Sequence, residues 1–400
     1  MDYYRESLAL HRALRGKIRV TPKIDIHTKD DLSLVYSPGV AQPCLEIERD
    51  PGKAYDYTIK GNTVAIVTDG SAVLGLGNIG AAASIPVMEG KALLFKRFAN
   101  IDAFPICLDT RDVDEIVRTC EIIAPVFGGI NLEDIAAPAS FEVETRLQDL
   151  GIPVFHDDQH GTAIVTLAAL INAAKVVDKE LKDMRVVING AGAAGIAIAK
   201  LLLGTDGTGG GAVAFQPVAD VILCDSKGII GRHRKDLNDS KLEALTYSNR
   251  DDREGRLAEA IRGADVFIGV SKGNLLDRDD IRTMAPRSIV FAMANPTPEI
   301  MPAEAVAGGA VVVGTGRSDL PNQVNNVLGF PGIFRGALDA RAPRITTAMK
   351  LAAAEAIAEM VRDPQPEYVI PRSLNEQVAW NVARAVAAVA GGEASKGLNV

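Results

Sequence analysis

The sequence predicts an α/β protein of two domains, each built on a parallel sheet, with a helical C-terminus. Three observations support this. Apolar, β-branched runs alternate with helix-like stretches along most of the chain, which is typical of βαβ units. A glycine-rich turn at 190–195 joins one such run to a helix, as in Rossmann-type domains. A length of 400 residues also exceeds what a single hydrophobic core usually serves.

The first half of the chain shows this alternation after a helix-like start at residues 3–14. Strand candidates are TVAIVTDG, AFPICLDT, GGINLEDI and IPVFHDD, and the last of these ends at residue 158. Between them lie helix candidates that include MEGKALLFKRF, DVDEIVRTCEIIAPVF and ASFEVETRLQDLG. We assign these elements to an N-terminal α/β domain over residues 1–160.

The second half repeats the pattern after a long helix predicted at 162–177. Its strand candidates are RVVIN, ADVILCD, ADVFIGV, SIVFAMAN and AVVVGTG. We expect a Rossmann-type domain over residues 161–370 and a helical segment over 371–400. The glycine-rich patch at 204–212 predicts a surface loop.

Composition narrows the range of partners and locations. The chain is 47% hydrophobic and carries a net charge of −8, which argues against nucleic acid or an anionic membrane surface as a partner. The N-terminus is charged and lacks the apolar core of a signal peptide. No stretch of about 20 apolar residues predicts a membrane helix. We therefore expect a cytoplasmic protein.

The motif GAGAAG at 190–195 predicts a dinucleotide site, because it follows an apolar strand and opens a helix. Gly190 would permit the tight turn, Gly192 the approach of a pyrophosphate, and Gly195 close packing of helix on strand. The first helical turn, with Ala193 and Ala194, would offer free N–H groups to the phosphates.

The acid expected after the next strand is Asp225, in VILCDSKG. It would accept hydrogen bonds from an adenosine ribose and favour NAD. Ser226 and Lys227 follow it directly and could hold the 2′-phosphate of NADP. The sequence therefore predicts a nicotinamide dinucleotide and leaves NAD or NADP open.

Four acids end two of the predicted strands. Asp157 and Asp158 lie in FHDDQHGTAIV, and Glu133 and Asp134 lie in INLEDI. The carboxyl ends of parallel strands share one edge, where α/β proteins bind ligands. Converging carboxylates repel one another unless a cation binds, and an all-oxygen ligand set suits Mg²⁺ or Mn²⁺. Asp157 alone could equally be structural.

Zinc is the alternative metal, because His156 and His160 are spaced i, i+4. That spacing places two imidazoles on one face only within a helix, and we interpret this stretch as a strand end. His160 is therefore expected to be a structural residue that makes a hydrogen bond.

With these motifs in place, the chain resembles the malic enzymes, in particular their short bacterial form. The matching stretches follow the family's order over nearly the whole chain: YSPGVAQPC, TDGSAVLGLGNIG, MEGKALLFKRF, INLEDIAAPASFEVE, FHDDQHGTA, GAGAAG, FAMANPTPEI and LPNQVNNVLGFPGIF. The resemblance implies oxidative decarboxylation of L-malate to pyruvate and CO₂, with reduction of NAD or NADP. It also implies dependence on Mg²⁺ or Mn²⁺, oxaloacetate decarboxylation as a further activity, and a homodimer or larger assembly.

The resemblance also implies roles for single residues. Glu133, Asp134 and Asp158 match the metal ligands, and Tyr36 of YSPGV matches the proton donor. Lys91 of EGK matches the general base, a role that requires a lowered pKa such as a nearby cation would produce.

Two asparagines also match the family, and one position departs from it. Asn295 of ANPTPE and Asn326 of QVNN match amides that contact substrate or cofactor. Larger members of the family carry a carboxylate-binding arginine in the TDG block, and here that position is Ala72. The group that neutralises the far carboxylate of the substrate is therefore open, with backbone amides of the glycine-rich stretch or Asn326 as candidates.

Two other functions are compatible with this arrangement of domains. An amino-acid dehydrogenase also combines a substrate domain, a dinucleotide domain and a lysine base, but needs no metal. A dinucleotide-sensing protein without catalytic activity is the non-enzymatic alternative. Dependence on a divalent cation and turnover of malate would separate the three.

Overall fold

A computed structural model describes residues 2–73, 75–205 and 216–391. The loop predicted at 204–212 lies, from residue 206 onward, outside the described residues. The first part of the chain contains α1 Tyr3–Leu14, α2 Lys29–Val35, α3 Ala41–Arg49, α4 Ala54–Tyr57, β1 Thr63–Thr68, α5 Gly80–Ala99, β2 Asp102–Cys107, α6 Val113–Ile123, β3 Gly129–Leu132, α7 Ala139–Leu147, β4 Val154–His156 and α8 Asp157–Val177.

The four strands of this part form one parallel sheet in the order β2-β1-β3-β4. Every residue of β1 is buried, as expected for a central strand that is covered on both faces. Val64 and Ile66 point to the side of α5, whereas Ala65 and Val67 point to the side of α6 and α7. The carboxyl ends of all four strands therefore lie at one edge.

The second part forms a six-stranded sheet. Its elements are β5 Arg185–Asn189, α9 Ala193–Leu202, β6 Asp220–Asp225, β7 Gly228–Ile229, α10 Asp239–Ala244, α11 Leu257–Ile261, β8 Val266–Gly269, α12 Arg278–Arg282, β9 Ile289–Ala292, α13 Pro302–Gly308, β10 Val312–Thr315, α14 Phe330–Asp339, α15 Thr347–Glu359 and α16 Gln377–Val389.

The order β10-β9-β8-β5-β6-β7 is that of a Rossmann-type sheet, which confirms the predicted fold class. All pairs are parallel except the short antiparallel pair of β6 and β7. The sequence pattern did not reveal β7, because two residues are too few to show a period. The order reverses beside β5, so the ligand crevice is expected at the carboxyl end of this strand.

The last three helices return to the first sheet. The ring of Phe95 in α5 packs edge-on against Phe330 and Phe334 of α14, with ring centroids 4.8 and 5.4 Å apart. One apolar cluster therefore runs from β1 and α5 through α8 to β5 and α16. The domain limits after residues 160 and 370 stay predictions.

Helix α8 is long and apolar enough to cross a membrane by length and composition, but 72% of its apolar window is buried inside the protein. Its apolar side chains pack on the rest of the core. The structure therefore assigns α8 to the core, where it joins the two sheets.

Residues 2–50, which we call the N-terminal segment, differ from the rest of the chain. None of them is buried, although the segment holds three helices. One contact to α5 runs from the backbone N–H of Lys17 to a carboxylate oxygen of Glu89, over 3.1 Å.

Candidate active site

The acidic stretch 155–165 begins a helix and does not continue a strand. β4 ends at His156, and Asp157 and Asp158 form the first turn of α8. The prediction of a strand through residue 158, with a helix from 162, was wrong. Acids are favourable in the first turn of a helix, where free N–H groups and the positive end of the dipole lie.

The three acids expected to bind a metal converge. One carboxylate oxygen each of Glu133, Asp134 and Asp158 lies within 4.8 Å of the other two. Asp134 has a positive φ of 52°, a conformation that aspartate adopts more readily than most residues. This turn ends the alternation of the strand, so that two consecutive acids face the same point. The backbone N–H of Asp134 donates to Asp158 Oδ2 over 2.8 Å.

This donor set fits a hard divalent cation. It consists of carboxylates alone, and Glu133 and Asp134 are 6% and 3% exposed. Side-chain exposure of Asp158 is 36%, so the cluster opens toward solvent on its side. Within the described parts of the chain, the candidate metal group contains these three acids and no histidine. The geometry therefore favours Mg²⁺ or Mn²⁺ over zinc.

Lys91 of α5 lies beside this cluster and is 7% exposed. Its ammonium donates to Glu133 Oε1 over 2.9 Å and to Asp157 Oδ2, and it lies 3.9 Å from the ring centroid of Phe330. Burial alone would lower the pKa of Lys91, but Asp157 and Glu133 outweigh burial and raise that pKa above its usual value. The two carboxylates that face Lys91 thus favour its charged form.

Asp157 is the acid whose role the sequence left undecided. It is fully buried, and Asn326 Nδ2 donates to the same Oδ2 atom that Lys91 contacts. Burial raises the pKa of Asp157 above its usual value, against the opposing charge of Lys91. Gly161, four residues later in α8, leaves room for this carboxylate, because a Cβ at Gly161 would lie 1.8 Å from Asp157 Oδ1. The sequence feature that could have pointed to Asp157 is an acid four residues before a glycine within a helix.

A second layer of hydrogen bonds holds the turn between β4 and α8. The carboxylate of Glu144 accepts from the backbone N–H of His156 over 3.1 Å and pairs with His160 Nε2 over 2.9 Å. Burial acts to raise the pKa of Glu144, but His160 and Lys350 outweigh burial and hold that pKa at about 2. The expectation that His160 is a structural hydrogen-bonding residue is confirmed.

The glycine-rich stretch after β1 lies between the acidic cluster and the second sheet. The backbone N–H of Ala72 donates to the carbonyl of Asp134 over 2.9 Å. Gly75 approaches Asn295: a Cβ at Gly75 would lie 3.9 Å from the Asn295 carbonyl oxygen. The side chain of Asn295 donates to the carbonyl of Met293 over 3.4 Å. The stretch thus contacts Asp134 at Ala72 and approaches Asn295 at Gly75.

Tyr36 makes no hydrogen bond to Lys91 in the part of the chain that the structure describes. It ends α2 in the N-terminal segment and is 69% exposed. Among the described residues, the polar partners of Lys91 are Glu133 and Asp157. The role of Tyr36 as a proton donor stays a prediction.

The glycine motif has the expected shape. Gly190 has a positive φ of 122°, and a Cβ there would lie 2.6 Å from the Val270 carbonyl oxygen. A Cβ at Gly195 would lie 1.8 Å from the Gly190 carbonyl oxygen, so only glycine permits this packing. Space beside Gly192 is open, and α9 begins at Ala193, which leaves the N–H groups of its first turn available.

A cavity of about 790 Å³ adjoins this turn and extends to Asp225 at the end of β6. Its size and position suit the adenosine half of a dinucleotide. The carboxylate of Asp225 accepts two hydrogen bonds from Arg234 and one from Lys241.

A parallel sheet with titratable groups at its carboxyl edge, joined to a Rossmann-type sheet, is the arrangement expected of a two-domain α/β oxidoreductase that uses a nicotinamide dinucleotide. Family models narrow this class. Residues 15–148 match the N-terminal domain of malic enzymes, and residues 159–391 match their NAD-binding domain. The chain therefore belongs to the malic enzyme family.

Individual relatives agree with this membership. The chain is 55% identical to a bifunctional malic/malolactic enzyme of Bacillus subtilis, over 98% of this chain and 93% of the relative. It is 55% identical to an NAD-dependent malic enzyme of Geobacillus stearothermophilus, over 93% of this chain and 76% of the relative. The crystal structure of an NAD-dependent malic enzyme from Thermotoga maritima superposes with a TM-score of 0.90 at 48% identity, covering 95% of this chain and 98% of that one.

Relatives named for the other dinucleotide are also similar. An NADP-dependent malic enzyme of Escherichia coli is 48% identical over 94% of this chain and 50% of the relative. The names of the relatives therefore do not decide between NAD and NADP.

Proposed function

We propose that this chain converts L-malate to pyruvate and CO₂ while it reduces NAD or NADP, and that the reaction depends on Mg²⁺ or Mn²⁺. The observation that supports this most strongly is the buried contact between Lys91 and Asp157, directly beside the cluster of Glu133, Asp134 and Asp158. A base and a set of cation ligands within one site suit the oxidation of a hydroxy acid. Decarboxylation of oxaloacetate would be a further activity of the same site.

When bound, a divalent cation would polarise the substrate hydroxyl, stabilise enolate charge and offset the carboxylates that hold Lys91 protonated. Lys91 accepts the proton of the malate hydroxyl at its Nζ, while hydride passes from the carbon that bears this hydroxyl to the nicotinamide. Asp157 orients that amine through its Oδ2 atom, and Asn326 fixes Asp157 from the other side. Burial of Lys91 and Asp157 excludes water from the proton transfer.

We also propose that the protein is a homo-oligomer in which the N-terminal segment packs against a second copy of the chain. The support is the unusual surface of this segment. Fourteen of its large apolar residues are at least 38% exposed, namely Tyr3, Tyr4, Leu8, Leu10, Leu14, Ile18, Val20, Ile24, Ile26, Leu32, Leu34, Tyr36, Val40 and Leu45. Patches of this kind mark protein–protein interfaces. Since Tyr36 belongs to this exposed segment and makes no hydrogen bond to Lys91 among the described residues, we expect it to protonate the enol carbon in the site of the neighbouring copy.

Initial-rate kinetics test the activity. With L-malate and Mn²⁺, reduced dinucleotide and pyruvate should form in equal amounts, and EDTA should abolish both. Turnover that survives EDTA would indicate the metal-independent dehydrogenase, and dinucleotide binding without turnover would indicate the sensing protein. Either result would refute the proposed function.

Co-expression of two inactive variants tests the shared site. Tyr36→Phe and Lys91→Ala should each lack activity, but a mixed dimer would contain one site with both native residues. Random pairing would restore about a quarter of the wild-type sites. A mixture no more active than either variant would show that Tyr36 does not act across the interface.

Location and partners remain expectations. The acidic surface supports the absence of a nucleic-acid or membrane partner, and a cytoplasmic location stays a prediction.

A further inference from the structure

Glu299 is a buried acid that has no part in the mechanism described above. It lies in the loop after β9, residues 293–299, which we call the β9 loop, and it is fully buried. Its Oε2 accepts a hydrogen bond from the backbone N–H of Ala294 in the same loop over 3.0 Å. Its Oε1 accepts one over 3.0 Å from the backbone N–H of Ser271, in the loop after β8, residues 270–276, which we call the β8 loop. One carboxylate therefore joins the ends of two neighbouring strands.

Further contacts fasten the two loops together around this carboxylate. The backbone carbonyl of Glu299 accepts hydrogen bonds from the N–H groups of Leu275 and Leu276 over 2.8 and 3.1 Å. A Cβ at Gly269, the last residue of β8, would lie 2.2 Å from Glu299 Cδ, so only glycine leaves room for the acid. The β8 and β9 loops are thus held at a fixed separation.

This arrangement requires two hydrogen-bond acceptors. Among the described residues, no lysine, arginine or histidine forms an ion pair with Glu299, and burial raises its pKa against the effect of the two N–H groups. Burying a charge is costly unless its oxygens are hydrogen-bonded. A glutamine at this position would turn an NH₂ group, which is a donor, toward one of the two N–H groups and leave that N–H unpaired. The carboxylate is therefore what keeps both loops attached.

The two loops reach different parts of the site. Ser271 lines the cavity that suits the adenosine half of a dinucleotide, and its Oγ accepts from Asn189 Nδ2 over 2.7 Å. In the β9 loop, the Asn295 carbonyl oxygen would lie 3.9 Å from a Cβ at Gly75. The glycine-rich stretch that holds Gly75 also contacts the acidic cluster. Glu299 thus connects the side of the dinucleotide with the side of the substrate.

We propose that Glu299 is a positioning residue for hydride transfer, which sets the distance between the nicotinamide ring and the malate carbon by fastening the β8 loop to the β9 loop. The inference rests on the proposed function and names a further residue on which that function depends. Because Glu299 is fully buried, it acts through the backbone of the two loops and contacts neither substrate nor dinucleotide. Its loss should therefore impair the step that needs dinucleotide and substrate to be aligned, and spare a step that needs the substrate alone.

Two reactions of the same protein provide the test. Glu299→Gln should lower kcat for malate oxidation about 100-fold, as a misplacement of about 1 Å implies. Decarboxylation of added oxaloacetate with Mn²⁺ transfers no hydride and should stay within about threefold of wild type. Calorimetric titration with the dinucleotide gives the number of binding sites per chain, and both rates are expressed per binding site.

The matched control is Glu304→Gln. Glu304 lies five residues further on, in α13, with a side chain that is 51% exposed and pairs with Arg278 over 3.1 Å. Both of its rates should stay within about twofold of wild type. If Glu299→Gln lowers both reactions by the same factor, or neither, the proposal is overturned, because a purely structural role would reduce the amount of folded protein and not one step.

Gly269→Ala provides a second variant in case Glu299→Gln loses thermal stability. It displaces the same carboxylate without changing its charge, and it should also slow malate oxidation far more than oxaloacetate decarboxylation. A wild-type ratio of the two rates in Gly269→Ala would contradict the proposal. A native protein that oxidises no malate would refute the proposed function and this inference together, whereas an active native protein whose variants lack the split would refute this inference alone.

Discussion

The replacement Gly161→Ala probes the contact between Asp157 and Lys91 without changing any polar group. The new Cβ would lie 1.8 Å from Asp157 Oδ1 and 3.2 Å from Asn326 Cβ. Asp157 would have to move its carboxylate by roughly 1.6 Å to reach an ordinary van der Waals separation of 3.4 Å. Such a movement separates Oδ2 from Lys91 and Asn326.

A misplacement of about 1 Å in a catalytic constellation lowers the rate about 100-fold, and we expect a fall in kcat of at least that size. Helix propensity alone favours alanine by about 1 kcal/mol, so any loss of thermal stability must come from the steric conflict. The assay is kcat with saturating malate, Mn²⁺ and dinucleotide. Binding of the dinucleotide is measured alongside and should be unchanged.

Gly329→Ala is the matched control. It makes the same chemical change near Asn326, but the nearest atom to its Cβ would be the Asn326 carbonyl oxygen at 3.5 Å, an ordinary contact. We expect its kcat to stay within about threefold of wild type. A Gly161→Ala protein with kcat in that same range would refute the role given to Asp157.

Three further substitutions test other parts of the site. Asp158→Asn should abolish metal-dependent turnover and leave the affinity for the dinucleotide within about twofold of wild type. Activity equal to wild type at high Mn²⁺ would contradict the role of Asp158 as a metal ligand. Lys91→Ala should lower kcat by about 10² to 10⁴, whereas Lys96→Ala on the same helix, with a side chain 53% exposed, should change little. Glu144→Gln should weaken Mn²⁺ binding about 10- to 100-fold by loosening the turn before α8, while Glu142→Gln, with a side chain 60% exposed, should leave it unchanged.

The sequence predicted most of the fold because its strands are strongly apolar and separated by clear turns. It misplaced the start of α8, since two acids after a strand resemble a strand end as much as the first turn of a helix. Only the folded chain shows that this turn brings Asp157 to Lys91 and Asn326, because these three residues come from three helical segments far apart in sequence.

Convergence of the acids could also be predicted, since strands of one parallel sheet end at one edge. The charged partners of individual side chains could not be predicted. The two carboxylates that face Lys91, and the two cations that hold Asp225, are set by side-chain directions that no spacing reveals. The same limit applies to Tyr36, whose motif is clear while its place lies on an exposed segment.

The most direct test of the central claim is anomalous diffraction from crystals soaked in MnCl₂. One strong manganese peak should appear, within bonding distance of an oxygen from each of Glu133, Asp134 and Asp158. A peak elsewhere, or none at concentrations of Mn²⁺ that support turnover, would show that these three acids do not form the metal site.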